Sequence, residues 1–270
     1  MIIFLFFLTI ILIAGGLTYL TAEISLWFIP LWLLVGIVGA ILLVVLSVVI
    51  GAPIAKRTKV TSKAKHFFVR QLSDFLKMIL RMRVTKVIGK ENIPKGNFVV
   101  YGNHKSNTDP FIVVSAIRRP MGFAAKTELY NIPILRTWLR AFGSLNINRA
   151  NDREAAKEII LGIKHVEKGL SMSIFPEGGI KSRETALMEE VKPGAYRLAT
   201  KPGVPVLPVV ILGSRHITNN APWKKSKLMV IILPAIYEEE YKNMTTVELG
   251  DHVKELINNT ILKYQKKDLD

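Results

Sequence analysis

The first fifty residues carry one charged side chain, Glu23, so that stretch cannot serve as the surface of a soluble domain. Met1–Leu20 and Leu26–Ile50 are each long enough to cross a hydrocarbon core, which takes about 20 apolar residues. Only Thr21–Ser25 separates them, too short for a domain and suited to the turn of a helical hairpin. Trp27 and Trp32 fall where an interfacial belt is expected on that side. A secretory signal peptide is the competing assignment for residues 1–20, but a basic n-region and a small-x-small cleavage site are missing. A re-entrant hairpin that stops short of the far leaflet fits the same composition.

Charge appears abruptly after the hairpin. Residues 51–100 hold twelve Lys or Arg against Asp74 and Glu91, most of the chain's formal net charge of +16. Cations directly after an apolar span mark the cytoplasmic side, so the chain is expected on the cell membrane with its main domain at the cytoplasmic face. Residues 60–83 read as a basic amphipathic helix. Phe67, Phe68, Leu72, Phe75, Leu76, Ile79 and Met82 share one side, with Lys63, Lys65, Arg70, Lys77 and Arg81 toward the other. Beside a membrane hairpin, this favours a helix lying among anionic lipid headgroups over an ordinary core-packed helix. The expected organisation is a hairpin over 1–52, an interfacial helix over 53–83 and an α/β domain over 84–270. With no cysteine in the chain, disulfides, thiolate zinc sites and a cysteine nucleophile are excluded.

From residue 84 onward, strand-like and helix-like stretches alternate. Val84–Ile88, Phe98–Tyr101, Gly122–Ala125, Ser144–Ile147, Ser171–Phe175, Val206–Leu212 and Leu228–Leu233 read as strands. Helices are expected at Phe111–Ile117, Ile134–Ala141, Arg153–Lys168, Ala195–Thr200 and Val247–Tyr264. This order predicts an α/β fold whose mostly parallel sheet is flanked by helices, behind the N-terminal membrane-embedded hairpin. The prolines at 205 and 208 place the Val206–Leu212 strand near an edge or a strand start.

The chemistry concentrates in Asn103-His104-Lys105-Ser106-Asn107-Thr108-Asp109-Pro110. An alcohol attacks an acyl carbon only if a base takes its proton during attack, and imidazole, with an ordinary pKa near neutrality, suits that task. A carboxylate partner fixes its tautomer and steadies the imidazolium. On an unbroken helix, residues five apart would not face each other. Asp109-Pro110, however, reads as an N-cap followed by proline at the first helical position. His104 then lies in a loop at the C-terminal end of a strand, where open α/β sheets place their sites. By itself, His-x4-Asp is matched equally well by a capped helix with an incidental histidine before it.

Three further segments accompany it. Phe175-Pro176-Glu177-Gly178-Gly179 ends another strand, with glycines that allow close backbone approach and a Glu177 that can accept from a polyol hydroxyl or a cation. Gly143–Arg149 ends a third with an arginine whose planar fork suits phosphate. Val204–Pro208 opens an apolar strand.

These four blocks, in this order between residues 84 and 215, resemble the glycerolipid acyltransferase family marked by an N-H-x4-D box, in particular its bacterial 1-acylglycerol-3-phosphate branch. The resemblance implies that His104 is the general base on the sn-2 hydroxyl of lysophosphatidic acid and that Asp109 orients it. It also implies that Arg149 and Glu177 bind the acceptor's phosphoglycerol end, with Asn103, Gly178 and Gly179 among the substrate-binding residues. The family's third block often continues Thr-Arg-Ser, whereas here it reads Gly179-Ile180-Lys181-Ser182-Arg183. The phosphate-binding cation is therefore displaced or replaced, Lys181 being the first candidate and Arg183 the second.

The expected reaction is direct transfer from an acyl thioester of acyl carrier protein or coenzyme A, with no cofactor beyond that co-substrate. The oxyanion donors are expected among the backbone N–H groups near Gly178 and Gly179. No metal site stands out, since His66, His165, His216 and His252 lack partners at ligand spacing and read as surface residues. The basic balance suits anionic membrane lipids, the lysolipid and an acidic carrier protein. Nucleic acid is disfavoured because the cations adjoin an apolar hairpin rather than an aromatic-studded groove. Two alternatives stay open: a different acceptor, such as glycerol-3-phosphate or another lysolipid, and a non-catalytic membrane-binding protein.

Overall fold

A computed structural model of the chain describes residues 1–21 and 26–265, divided into two compact units, Met1–Thr58 and Lys59–Asp270. The first unit holds α1 (Ile2–Thr21) and α2 (Ile29–Arg57), both long and apolar enough to cross a membrane. They pack antiparallel. Trp32 Nε1 donates to Thr21 Oγ1 at 2.9 Å, and Gly36 lies against Ile10 and Ala14. The expected turn falls on residues 22–25, outside the described residues. α2 continues through Pro53 to Arg57, past residue 52, where the hairpin was expected to end.

In the second unit, α3 (Lys63–Ile79) precedes β1 (Met82–Ile88), β2 (Val99–Gly102), α4 (Asp109–Ile117), β3 (Met121–Lys126), α5 (Pro133–Ala141), β4 (Leu145–Ile147), α6 (Asp152–Glu167) and β5 (Ser171–Ile174). There follow α7 (Arg197–Thr200), β6 (Val206–Leu212), α8 (Ile217–Asn220), β7 (Ser226–Ile232), α9 (Glu238–Tyr241) and α10 (Thr246–Gln265). The strands form one sheet in the order β1-β7-β6-β2-β5-β3-β4, parallel at every pairing except β6–β7. The expected mostly parallel α/β sheet is therefore present.

Strand periodicity splits the core between the two faces. Val99 and Tyr101 point to one, with Leu198, Leu249, Val253 and Ile257 from α7 and α10, while Phe98 and Val100 point to the other, with Ile112, Val113 and Ile117 from α4. β6 is buried along its whole length and lies inside the sheet, between β7 and β2, so of the two placements its prolines allow the edge is ruled out and the strand start holds: Pro205 precedes β6 and Pro208 is its third residue. Pro208 is tolerated because its carbonyl accepts from Leu233 N, one residue past the end of β7. Its missing donor thus falls in the irregular stretch between the end of β7 and the isolated Val206–Ile236 bridge.

Both sheet edges are blunted. At β4, the Asn146 amide donates to Glu158 Oε2 on α6, which Arg140 holds through a two-pronged ion pair. At β1, the register shifts between Val84 and Lys86, and Arg83, Thr85 and Lys86 are exposed.

The amphipathic segment is shorter than expected and packs into this unit. α3 stops at Ile79, Arg81 turns the chain at φ 51°, and Met82 begins β1. Phe75 is buried, Phe68 stacks on Trp138, and Asp74 accepts from Ser115 on α4. Much of the apolar face is thus covered by protein, with Phe67 and Ile79 left exposed. His66 is no surface residue either. Its Nε2 meets the Val60 carbonyl at 2.7 Å, and the Met121 amide reaches Nδ1 at 3.4 Å, so the neutral ring uses both nitrogens. Burial, opposed by the Val60 bond and reinforced by neighbouring Lys65, pulls its pKa down to about 4 from 6.5.

A histidine lowered this way leaves the unfolded chain binding the extra proton first, so stability falls as pH drops from 6.5 toward 4. We expect His66→Gln to remove on the order of 2–3 kcal/mol of that pH dependence, seen as a flatter unfolding-midpoint curve over this window. Equal slopes for the two proteins would refute the assignment.

Candidate active site

β2 and β5 are adjacent and parallel, with Tyr101 opposite Ile174, so the chain leaves both at the same end of the sheet. The loop 103–108 follows β2, and Phe175–Gly179 follows β5. Both lead from buried strands, and their polar groups must find partners within the protein.

Asp109 supplies several of them. Its Oδ2 accepts from His104 Nδ1 at 3.0 Å and from the Lys105 and Ser106 amides at 2.8 Å each. Asp109 is the first residue of α4 and not its N-cap, as the sequence had implied; Thr108 holds that position without a capping bond. The reason is visible in the bonds: the carboxylate turns back onto the preceding loop, which brings residues five apart together. Oδ1 is buried without a partner among the described residues. With Nδ1 as donor to Asp109, Nε2 of His104 is the basic nitrogen, and it has no protein partner among the described residues. The ring stacks on Phe175, centroids 4.4 Å apart at 14°, and the residue is only 7% exposed.

Of the two partners read for Glu177, a polyol hydroxyl or a cation, the structure supplies the cation. Glu177 Oε1 accepts from the His104 amide at 2.7 Å, and its Oε2 meets Lys105 Nζ at 3.1 Å, both side chains being 1% exposed. Burial pushes the Glu177 carboxyl up, against the His104 hydrogen bond and the Lys105 charge. Glu177 therefore cross-links the two loops. Asn103, grouped above with the substrate-binding residues, has no exposed surface. Its Nδ2 donates to the Ala186 and Ile211 carbonyls, and its Oδ1 accepts from the Ile211 amide. It ties the start of the loop to β6.

Gly178 takes φ 72° and donates its amide to the Phe175 carbonyl, which withdraws it from the expected oxyanion donors. At Gly179, a Cβ would come within 2.7 Å of an Arg149 guanidinium nitrogen. The glycine thus lets Arg149, from the end of β4, lie over the Glu177 loop. Lys181 pairs with Glu190 in an exposed bridge at 2.5 Å, away from the role first expected of it. Arg183 Nε instead donates to the Lys105 carbonyl at 3.2 Å, which places this guanidinium beside the histidine loop. Of the two cation candidates the second is the better placed. Among the described residues, no group of three or more His, Asp or Glu is arranged to hold a metal.

Lys105 and Phe175 escaped the sequence-based choice of site residues. Both flank motif positions, but nothing in their spacing shows that one is paired and the other stacked.

A family model described as Acyltransferase matches residues 83–212, the stretch that carries all four blocks. The chain is 31% identical to the 1-acyl-sn-glycerol-3-phosphate acyltransferase of Borreliella burgdorferi, over 63% of this chain and 70% of that protein. It is 28% identical to the enzyme of that name from Salmonella typhimurium, over 70% and 76% of the two chains. Among solved structures, the 1-acyl-sn-glycerophosphate acyltransferase of Thermotoga maritima superposes with a TM-score of 0.62 at 26% identity, covering 75% of this chain and 82% of that one.

Removing one partner of a buried ion pair costs about 3–5 kcal/mol. We expect Lys105→Met to lose stability on that scale and Lys105→Met/Glu177→Gln to regain more than half, by denaturant unfolding in detergent. A double variant no more stable than the single one would deny that the two side chains act as a pair.

Proposed function

The chain belongs to the family of 1-acyl-sn-glycerol-3-phosphate acyltransferases, and from that premise we propose that it esterifies the sn-2 hydroxyl of lysophosphatidic acid at a membrane, giving phosphatidic acid for phospholipid synthesis. The observation that carries this reading is the 3.0 Å contact between His104 Nδ1 and Asp109 Oδ2, which leaves Nε2 as the proton acceptor.

In this scheme the acceptor hydroxyl lies between Nε2 and the carbonyl of an acyl thioester. As oxygen attacks, its proton passes to Nε2, and Asp109 steadies the imidazolium. The tetrahedral intermediate then collapses: the carbon–sulfur bond breaks, the ester bond remains, and the imidazolium returns the proton to the departing thiolate. No acyl-enzyme forms, in keeping with a chain that has no cysteine. Arg149 and Arg183 are the cations we assign to the acceptor's phosphate, because one overlies the Glu177 loop and the other holds the His104 loop. The donor is a thioester of acyl carrier protein or coenzyme A, and no step calls for a metal or cofactor. α1 and α2 would hold the enzyme in the cell membrane, with the α/β unit on the cytoplasmic face, by the charge that follows α2.

A positioned general base contributes about 10²–10⁴-fold to such a reaction. His104→Ala should lower turnover by that factor, and Asp109→Asn should follow it, while both variants still sediment with membranes. Release of free thiol from an acyl thioester, measured with and without lysophosphatidic acid, checks this. Undiminished turnover by His104→Ala would remove the base assignment.

A further inference from the structure

Trp223 is the most exposed tryptophan of the α/β unit, with 83% of its surface open. It is held in place: Arg81 Nη1 donates to its carbonyl at 2.8 Å, and the Arg81 carbonyl accepts from Ser226 at the start of β7. Arg81 keeps a left-handed φ of 51° to make that bridge, a conformation a side chain adopts at a cost. Lys224, Lys225 and Lys227 follow Trp223 in the chain and Arg83 pairs with Lys227 across β1 and β7, all four being exposed. None of these cations has a carboxylate partner among the described residues, and the sequence has no Asp or Glu from 75 to 90 or from 191 to 237.

The sheet topology gives this cluster its place. β7 runs antiparallel to β6 and parallel to β1, so both begin at the end where β2 and β5 finish. Trp223 therefore emerges at the end of the sheet that carries His104. Two strand positions separate β7 from β2, about 10 Å at ordinary strand spacing.

We propose that Trp223, with Arg81, Arg83, Lys224, Lys225 and Lys227, is a second membrane contact that seats the His104 end of the sheet against an anionic bilayer surface. An indole is amphipathic and settles at the headgroup level, and unpaired cations around it are drawn to anionic lipid. An acidic protein would meet the same charge. But a single indole, 83% exposed and set among cations, fits a soft lipid surface better than a folded partner. The proposal deepens the membrane part of the proposed function and rests on it.

The cysteine-free chain permits a direct test. Full-length Trp223→Cys, labelled with an environment-sensitive fluorophore, is reconstituted in phosphatidylglycerol or phosphatidylcholine vesicles. Lys201→Cys, before β6 at the opposite end of the sheet, is the reference. We expect the label at 223 to shift to the blue in anionic vesicles and to be about threefold less accessible to an aqueous quencher than the label at 201, with the difference shrinking in high salt. Adding Lys224→Glu/Lys225→Glu should reduce that protection about twofold. A label at 223 as quenchable as the reference, on protein that sediments with vesicles and turns over lysophosphatidic acid, overturns the proposal alone. A response only to soluble acyl carrier protein overturns it in favour of a protein partner. Loss of both sedimentation and turnover in the unmodified chain would bring down the proposed function as well.

Discussion

The turn between β2 and α4 leaves a fully buried strand and enters a helix six residues later, with little water to satisfy its amides. Two carboxylates meet that demand. Asp109 gathers two backbone amides and the imidazole, and Glu177 takes the His104 amide and the Lys105 ammonium. The groups that fold the loop are thus the groups that aim the histidine. Because Glu177 comes from the loop after β5, the geometry of the base also depends on the β2–β5 pairing. In such a buried polar network removing one member leaves its partners unsatisfied and loosens the arrangement the others hold.

Most of the fold was legible because its strands are short apolar runs bounded by turn residues and three of its helices, α4, α5 and α6, open on Asp-Pro, Ile-Pro and Asn-Asp steps. Two features were not. The place of β6 in the sheet depends on which strands come together, and Pro208 misleads unless the end of β7 is known. The apolar side of α3 has the same composition whether it meets lipid or protein, so its packing on α4 and Trp138 cannot be read from periodicity.

The site shows the same division. The pairing of His104 with Asp109 was legible only beside the other three blocks, because Asp-Pro starts a helix just behind any histidine at that place, incidental or not. Asn103 and Glu177 look like ligand-binding groups in sequence, since a polar side chain near glycines serves equally well as a brace. Only their bonds to Ile211, Ala186, His104 and Lys105 tell the two apart. Lys181 and Arg183 differ in their surroundings for a related reason. Glu190, nine residues downstream of Lys181, is a competitor that no motif announces.

The blunted margins of the sheet would matter most if the enzyme is held at a membrane as proposed, where neighbours meet often. A bare edge would offer unpaired donors and acceptors to any extended segment that drifted past. Glu158 occupies the Asn146 amide on one margin, and the irregular, cationic β1 forms the other. Each device reduces the length of regular edge on which a second extended chain could pair.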